Sequence, residues 1–177
     1  MQRRAFLSLA AATIASRGVA QDSLISAAKL SHPAIPAKDA RDLLIKDGDG
    51  NPVYISDYSG RLIVLNLWGS WCPPCRREMP SISRLAEKVD PAKIAILPLA
   101  FENGNTTRVR VFYKSARITN LPVLTGDGQN LKSVLSLSRL PTTAILDQTG
   151  MHVATVAGEA MWDDDETVAW LNRLAAT

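Results

Sequence analysis

Along this chain the apolar positions change period several times, and each change predicts an element. Arg61–Trp68, RLIVLNLW, is an almost unbroken apolar run rich in branched side chains, the pattern of a central strand covered on both faces. From Cys75 to Val89 the period becomes helical, with Met79, Ile82, Leu85, Ala86 and Val89 along one side and Pro80 predicted to kink the helix. KIAILPLAF then repeats the buried-strand pattern. A helix over Thr106–Ala116, a short strand at Pro122–Leu124 and a helix over Leu131–Leu137 follow. Two hairpins are predicted, DLLIKD with PVYIS around Gly48-Asp49-Gly50, and TTAILD with HVATVAG around Gln148-Thr149-Gly150. An amphipathic helix over Asp164–Ala175 comes last. This order of elements predicts an α/β fold with a mixed sheet.

The first forty residues do not fit that pattern. Arg3 and Arg4 precede a short apolar run, Ala5 to Ala15, and small residues at Gly18 and Ala20 suit a cleavage site, so residues 1–20 read as an export signal cut after Ala20. The run is about half the ~20 residues a membrane span needs, which disfavours a permanent anchor. Arg-Arg-Ala-Phe-Leu is similar to twin-arginine signals, with an ordinary Sec signal as the alternative; either leads out of the cytoplasm. Residues 21–40 mix small and polar side chains with Pro33 and Pro36 and read as a linker or loosely docked arm, leaving 41–177 as the domain. The formal charge of +3 resides in Arg3, Arg4 and Arg17, so the mature chain is formally neutral and lacks the basic footprint of a nucleic-acid or anionic-lipid binder.

The candidate chemistry lies between the central strand and the helix after it, in SWCPPCRREMP, which holds both cysteines of the 177-residue chain. As a structural disulfide, Cys72–Cys75 would close a four-residue loop, for which the chain-entropy formula gives roughly 2 kcal/mol before strain. A zinc site needs four ligands, and His32 and His152 share no ligand spacing with the pair. A two-coordinate Cu(I) site is chemically possible. The fourth reading is a redox couple at a strand-to-helix junction. There the unpaired N–H groups and the helix dipole favour a thiolate at Cys72, and Cys75 is placed to attack Cys72 from behind. Pro73 and Pro74 are tolerated in a first turn, and they remove two donors that would otherwise stabilise the thiolate; Arg76 and Arg77 act in the opposite sense.

Trp71-Cys72-Pro73-Pro74-Cys75, Leu140-Pro141-Thr142-Thr143 and Asp57-Tyr58-Ser59-Gly60 together resemble the thioredoxin-like proteins, and among them the exported TlpA/ResA group of thiol-disulfide oxidoreductases, over roughly residues 40 to 175. The resemblance implies a thioredoxin-like fold, a mixed central sheet flanked by helices with an N-terminal β-hairpin. It implies Cys72 as nucleophile, Cys75 as resolving thiol, Trp71 as a cover beside them, and a cis-proline loop at Leu140 and Pro141 that offers backbone to a client peptide. No cofactor beyond the dithiol and no metal is implied.

One position departs from the wider thioredoxin pattern. Where many cytosolic thioredoxins have a buried aspartate six residues ahead of the first cysteine, this chain has Asn66, which cannot take a proton at neutral pH. Glu102, at the end of IAILPLAF, is the candidate substitute, against a reading as a solvated loop acid. Arg77 and Glu78 are expected to be surface charges. The resemblance further implies a reductant in the bacterial periplasm, a monomer whose clients are cysteine-bearing proteins such as apocytochrome c or a copper-site protein, with a membrane thiol-transporting protein as electron donor. The alternatives are an oxidase or isomerase of secreted disulfides, and a non-enzymatic Cu(I) carrier.

Overall fold

A computed structural model describes residues 24–102, 104–137 and 139–177; the export signal predicted at 1–20 lies outside the described residues. Its centre is strand β4 (Leu62–Trp68), in which every residue is buried. Alternate side chains enter two separate cores: Leu62, Val64 and Trp68 join one, and Ile63, Leu65 and Leu67 the other. Burial on both faces explains the unbroken apolar run. Strand β5 (Ile94–Ala100) pairs with β4 in parallel, and β7 (Thr142–Leu146) pairs with it antiparallel on the other side. The predicted mixed sheet is therefore present, with eight strands in the order β1-β8-β7-β4-β5-β6-β2-β3.

Helix α2 (Pro73–Lys88) follows β4 and lays Met79, Ile82 and Leu85 on the first core, together with α3 (Thr106–Ala116) and α5 (Asp165–Ala175). It runs without a break through Pro80, whose missing N–H leaves the Arg76 carbonyl without its usual intrahelical donor. Helix α4 (Gly128–Leu135) covers the opposite core with Leu131 and Leu135. It begins three residues before the predicted start because Asp127 caps it, accepting from the Gln129 and Asn130 amides. Strand β6 lies at Leu124–Gly126, two residues beyond its predicted start.

Both predicted hairpins form. Strands β2 (Ile45–Asp47) and β3 (Pro52–Val53) are antiparallel and attach to β6. Strand β8 (Met151–Ala157) returns along β7 through a turn in which Asp147 accepts from the Thr149 and Met151 amides and Gly150 takes a φ of +88°.

The arm reading of residues 21–40 needs correction over the part that is described, from Leu24 onward. Ala27–Leu30 forms a one-turn helix, α1, and Ser31–Asp39 forms strand β1, paired antiparallel with β8. Prolines at 33 and 36 hide the alternation, and the register breaks between Pro33 and Lys38. The segment is also fastened to the start of α5: the Ala27 amide donates to the Met161 carbonyl, the Met161 amide to the Ile25 carbonyl, and the Ser26 hydroxyl to Asp164. Ala27 is fully buried, whereas Ile35 is 86% exposed.

This docking has a direct test in urea unfolding. Ala27→Glu, which forces bulk and charge into a closed site, is expected to cost at least about 2 kcal/mol, and Ile35→Glu no more than about 0.5. A loosely attached arm would leave both variants at the wild-type midpoint.

Candidate active site

The chain leaves β4 at Trp68 and reaches the helix in four residues. Gly69 permits the sharp passage because the Trp71 indole folds back over it; a Cβ there would meet the ring at 2.8 Å. The tip is tied to the end of β5. The Trp71 indole N–H donates to the Phe101 carbonyl at 3.1 Å, and the Phe101 amide donates to the Trp68 carbonyl at 2.9 Å. Glu102, read from sequence as either a proton acceptor near Cys75 or a solvated loop acid, is 6% exposed and accepts from the Ser70 amide at 2.6 Å. Its visible part is to hold the backbone just ahead of the cysteines.

Cys72 is the N-cap of α2, and Pro73 and Pro74 occupy the first turn, where a missing N–H deprives the helix of nothing. The Cys75 amide donates to the Cys72 sulfur at 3.3 Å. Cys72 and Cys75 are joined as a disulfide with Cα atoms 5.3 Å apart. Cys72 keeps 5% exposure at the surface and Cys75 has none. The Leu140–Pro141 peptide bond is cis, and β7 begins immediately after it beside β4. Trp71, more than half exposed, and Leu140 line the same groove.

Arg77 is on the surface as expected, paired with Glu159 at 2.7 Å, but its neighbour Glu78 is not. Glu78 has no exposed surface. One turn beyond Cys75 on the same helix, its Oε1 accepts from Asn66 Nδ2 at 2.9 Å, and its Oε2 accepts from the Ala160 amide at 3.0 Å and Trp162 Nε1 at 3.3 Å. Burial pushes this carboxyl up from an ordinary 4.5 to about 7, against the three donors, which favour the charged form. Asn66, fully buried, also donates to Thr143 Oγ1 at 3.0 Å, so it links β4, β7 and α2. An aspartate at 66 would set a second carboxylate against Glu78; the amide instead donates to it. Sequence reasoning missed Glu78 because its partners lie far away in the chain. The available signal was its place on the α2 face next to Met79 and Ile82.

A disulfide at the N-terminus of a helix, a cis-proline at the start of the strand next to β4 and a thioredoxin-like sheet, together with the relatives below, define this protein as a thiol-disulfide oxidoreductase. Residues 36–153 match the AhpC/TSA family, and the chain belongs to it. The thiol-disulfide oxidoreductase ResA of Bacillus cereus is 30% identical over 122 residues, covering 69% of each chain. The thioredoxin-like protein YneN of Bacillus subtilis (strain 168) is 31% identical over 130 residues, 70% of this chain and 75% of that one. Among solved structures, the exposed lipoprotein thioredoxin of Streptococcus pneumoniae strain TIGR4 matches with a TM-score of 0.61 and 25% identity, over 75% of this chain and 99% of that one. A thioredoxin-family thiol:disulfide interchange protein from Chlorobium tepidum TLS shares the fold, with a TM-score of 0.63 at 19% identity over 78% and 97% of the two chains.

The raised Glu78 carboxyl makes folding stability depend on pH. Below about pH 4.5 both states hold its proton; between 4.5 and about 7 the unfolded chain releases it while the native state keeps it, so stability falls as pH rises and levels off above 7. His152, lowered mainly by burial, acts in the opposite sense over part of this window, so the measurement is the difference between wild type and Glu78→Gln. From pH 4.5 to 8 the variant is expected to gain on the order of 3 kcal/mol relative to wild type in urea unfolding of the oxidised proteins. A difference that does not change with pH would mean that this carboxyl titrates as a solvated one.

Proposed function

We propose that this protein is a periplasmic protein-disulfide reductase in which Cys72 attacks and Cys75 resolves. The observation that carries the reading is the arrangement on α2: Cys72 caps the helix at the surface, Cys75 is sealed behind it, and Glu78 lies one turn further on with a proton affinity near neutrality. In the reduced protein the Cys72 thiolate, favoured by the helix start, attacks one sulfur of a client disulfide and expels the other as a client thiolate. Cys75 then gives its proton to the Glu78 carboxylate and attacks the Cys72 sulfur, releasing the second client thiolate and closing the Cys72–Cys75 disulfide. Two electrons have passed to the client. Leu140 and Pro141 supply the backbone edge along which the client cysteine lies, and Trp71 covers the mixed disulfide from the side.

Glu78, on the same helix as Cys75 and with its proton affinity raised by burial, takes in this reading the proton-acceptor part that the sequence offered to Glu102, which holds the Ser70 amide at the tip. The periplasmic placement follows from the reading of residues 1–20 as an export signal, with 24–177 as the working domain. Among the described residues no helix is long and apolar enough to cross a membrane. Reduction outside the cytoplasm requires a membrane protein that delivers electrons as thiols, and cytochrome c or copper-site maturation would supply clients of the right chemistry.

Trapping tests the roles of the cysteines: Cys75→Ser is expected to accumulate mixed disulfides with periplasmic clients, and Cys72→Ser almost none. Equal trapping by both variants would remove the assignment. The direction of transfer is read from the reduction potential of residues 21–177, expected near ~−270 mV for a reductase; a value near ~−120 mV would make the protein an oxidant.

A further inference from the structure

Two grooves reach the tip just ahead of Cys72, one at Trp71 and the other at Ser70. One, of about 280 Å³, is lined by Trp71, Phe101, Leu137 and Leu140, with Lys132 and Arg139 alongside them. The other, of about 310 Å³, takes Ser70 from the tip and is lined further by Arg76, Arg108, Val111 and Phe112. Apolar surface is open in both, since Trp71 is 58% and Val111 64% exposed. The charged side chains that line the two grooves are all cations: among the described residues no carboxylate lines either, and Glu102, next to Phe101, is buried against the Ser70 amide.

Beyond residue 20 the chain has as many acids as bases, so a face lined by cations alone departs from the balance of the whole; elsewhere some cations have carboxylate partners, as in Arg77–Glu159, Arg84–Asp163, Arg110–Asp49 and Lys29–Glu166. Arg108, Lys132 and Arg139 belong to none of the ion pairs among the described residues, and Arg76 lies over the Phe112 ring at 5.2 Å. Cations collected on one face raise the local concentration of anionic partners and steer their approach. In the disulfide-exchange reading, Cys72, next to Trp71 in the chain, restricts that partner to a chain bearing cysteine, and the apolar lining at Trp71 and Leu140 offers a seat for one of its side chains.

We propose that this face selects acidic clients, docking a segment with carboxylates near its reactive cysteine and one apolar side chain in the groove between Trp71 and Leu140. The proposal rests on the disulfide-exchange reading above and names its substrate class. Lys132 and Arg139 meet carboxylates on the side of the cis-proline loop, and Arg76 and Arg108 meet them on the side of α3.

The test uses the reduced protein and three disulfide-bonded peptides of equal length, each with a leucine near the cysteine and flanked by Glu, Ser or Lys. At about 20 mM salt the Glu-flanked peptide is expected to be reduced at least about tenfold faster than the Lys-flanked one, with the ratio shrinking towards about twofold at 0.5 M as screening shortens the field. The double variant Lys132→Glu, Arg139→Glu is expected to lower that ratio at least about fivefold at low salt, measured with the Ser-flanked peptide as reference. Equal wild-type rates for the three peptides at low salt would overturn the proposal and leave the exchange reading intact. No reduction of any peptide would overturn both.

Discussion

A carboxylate shut inside an α/β domain must be compensated from several directions at once, and Glu78 draws its three hydrogen bonds from two segments far apart in the chain: Asn66 on β4, and the Ala160 amide and the Trp162 indole in the link between β8 and α5. These contacts fix α2 against the sheet and against the C-terminal segment. Ser81 reinforces the same junction, since its hydroxyl donates to the Glu78 carbonyl and accepts from the Trp162 amide. The helix that carries the cysteines is thus held by the acid that the proposed mechanism uses for proton transfer. Its compensation is incomplete, because three donors only partly offset burial, and the remaining mismatch keeps its proton affinity near neutral pH.

The tip ahead of the cysteines depends on a different set of contacts. Glu102 holds Ser70, Phe101 holds the Trp71 indole, and Gly69 leaves room for that indole to lie back. All three belong to the ends of β4 and β5, two parallel strands registered residue for residue from Leu62 and Ile94 to Trp68 and Ala100. A rigid parallel pair therefore places the cysteines, and the antiparallel neighbour β7 brings the cis-proline loop to them from the other side.

Much of this was legible in the sequence because it is local. The β4 run, the helical period of α2, both glycine turns and the Cys-Pro-Pro-Cys segment each declare themselves within a dozen residues. What escaped depends on partners distant in the chain. Ser31–Asp39 pairs with β8 more than a hundred residues later, and its prolines break the alternation that would have marked a strand. Glu78 has a charged neighbour on its N-terminal side and looks like part of an exposed face until residues 66, 160 and 162 close over it. Glu102 was placed near the right region, at the end of β5, but the sequence did not reveal that its carboxylate turns to Ser70.

The strand order puts β1 at one margin of the sheet and β3 at the other, so both borders are drawn from a single early stretch, residues 31 to 53. Each border carries proline, at 33 and 36 on one side and at 52 on the other, and proline offers no N–H to an incoming strand. A chain emerging from its N-terminus thus acquires both guards before strands β4 to β8. Neighbouring copies find poor templates for sheet-to-sheet polymerisation, even when many chains are crowded together.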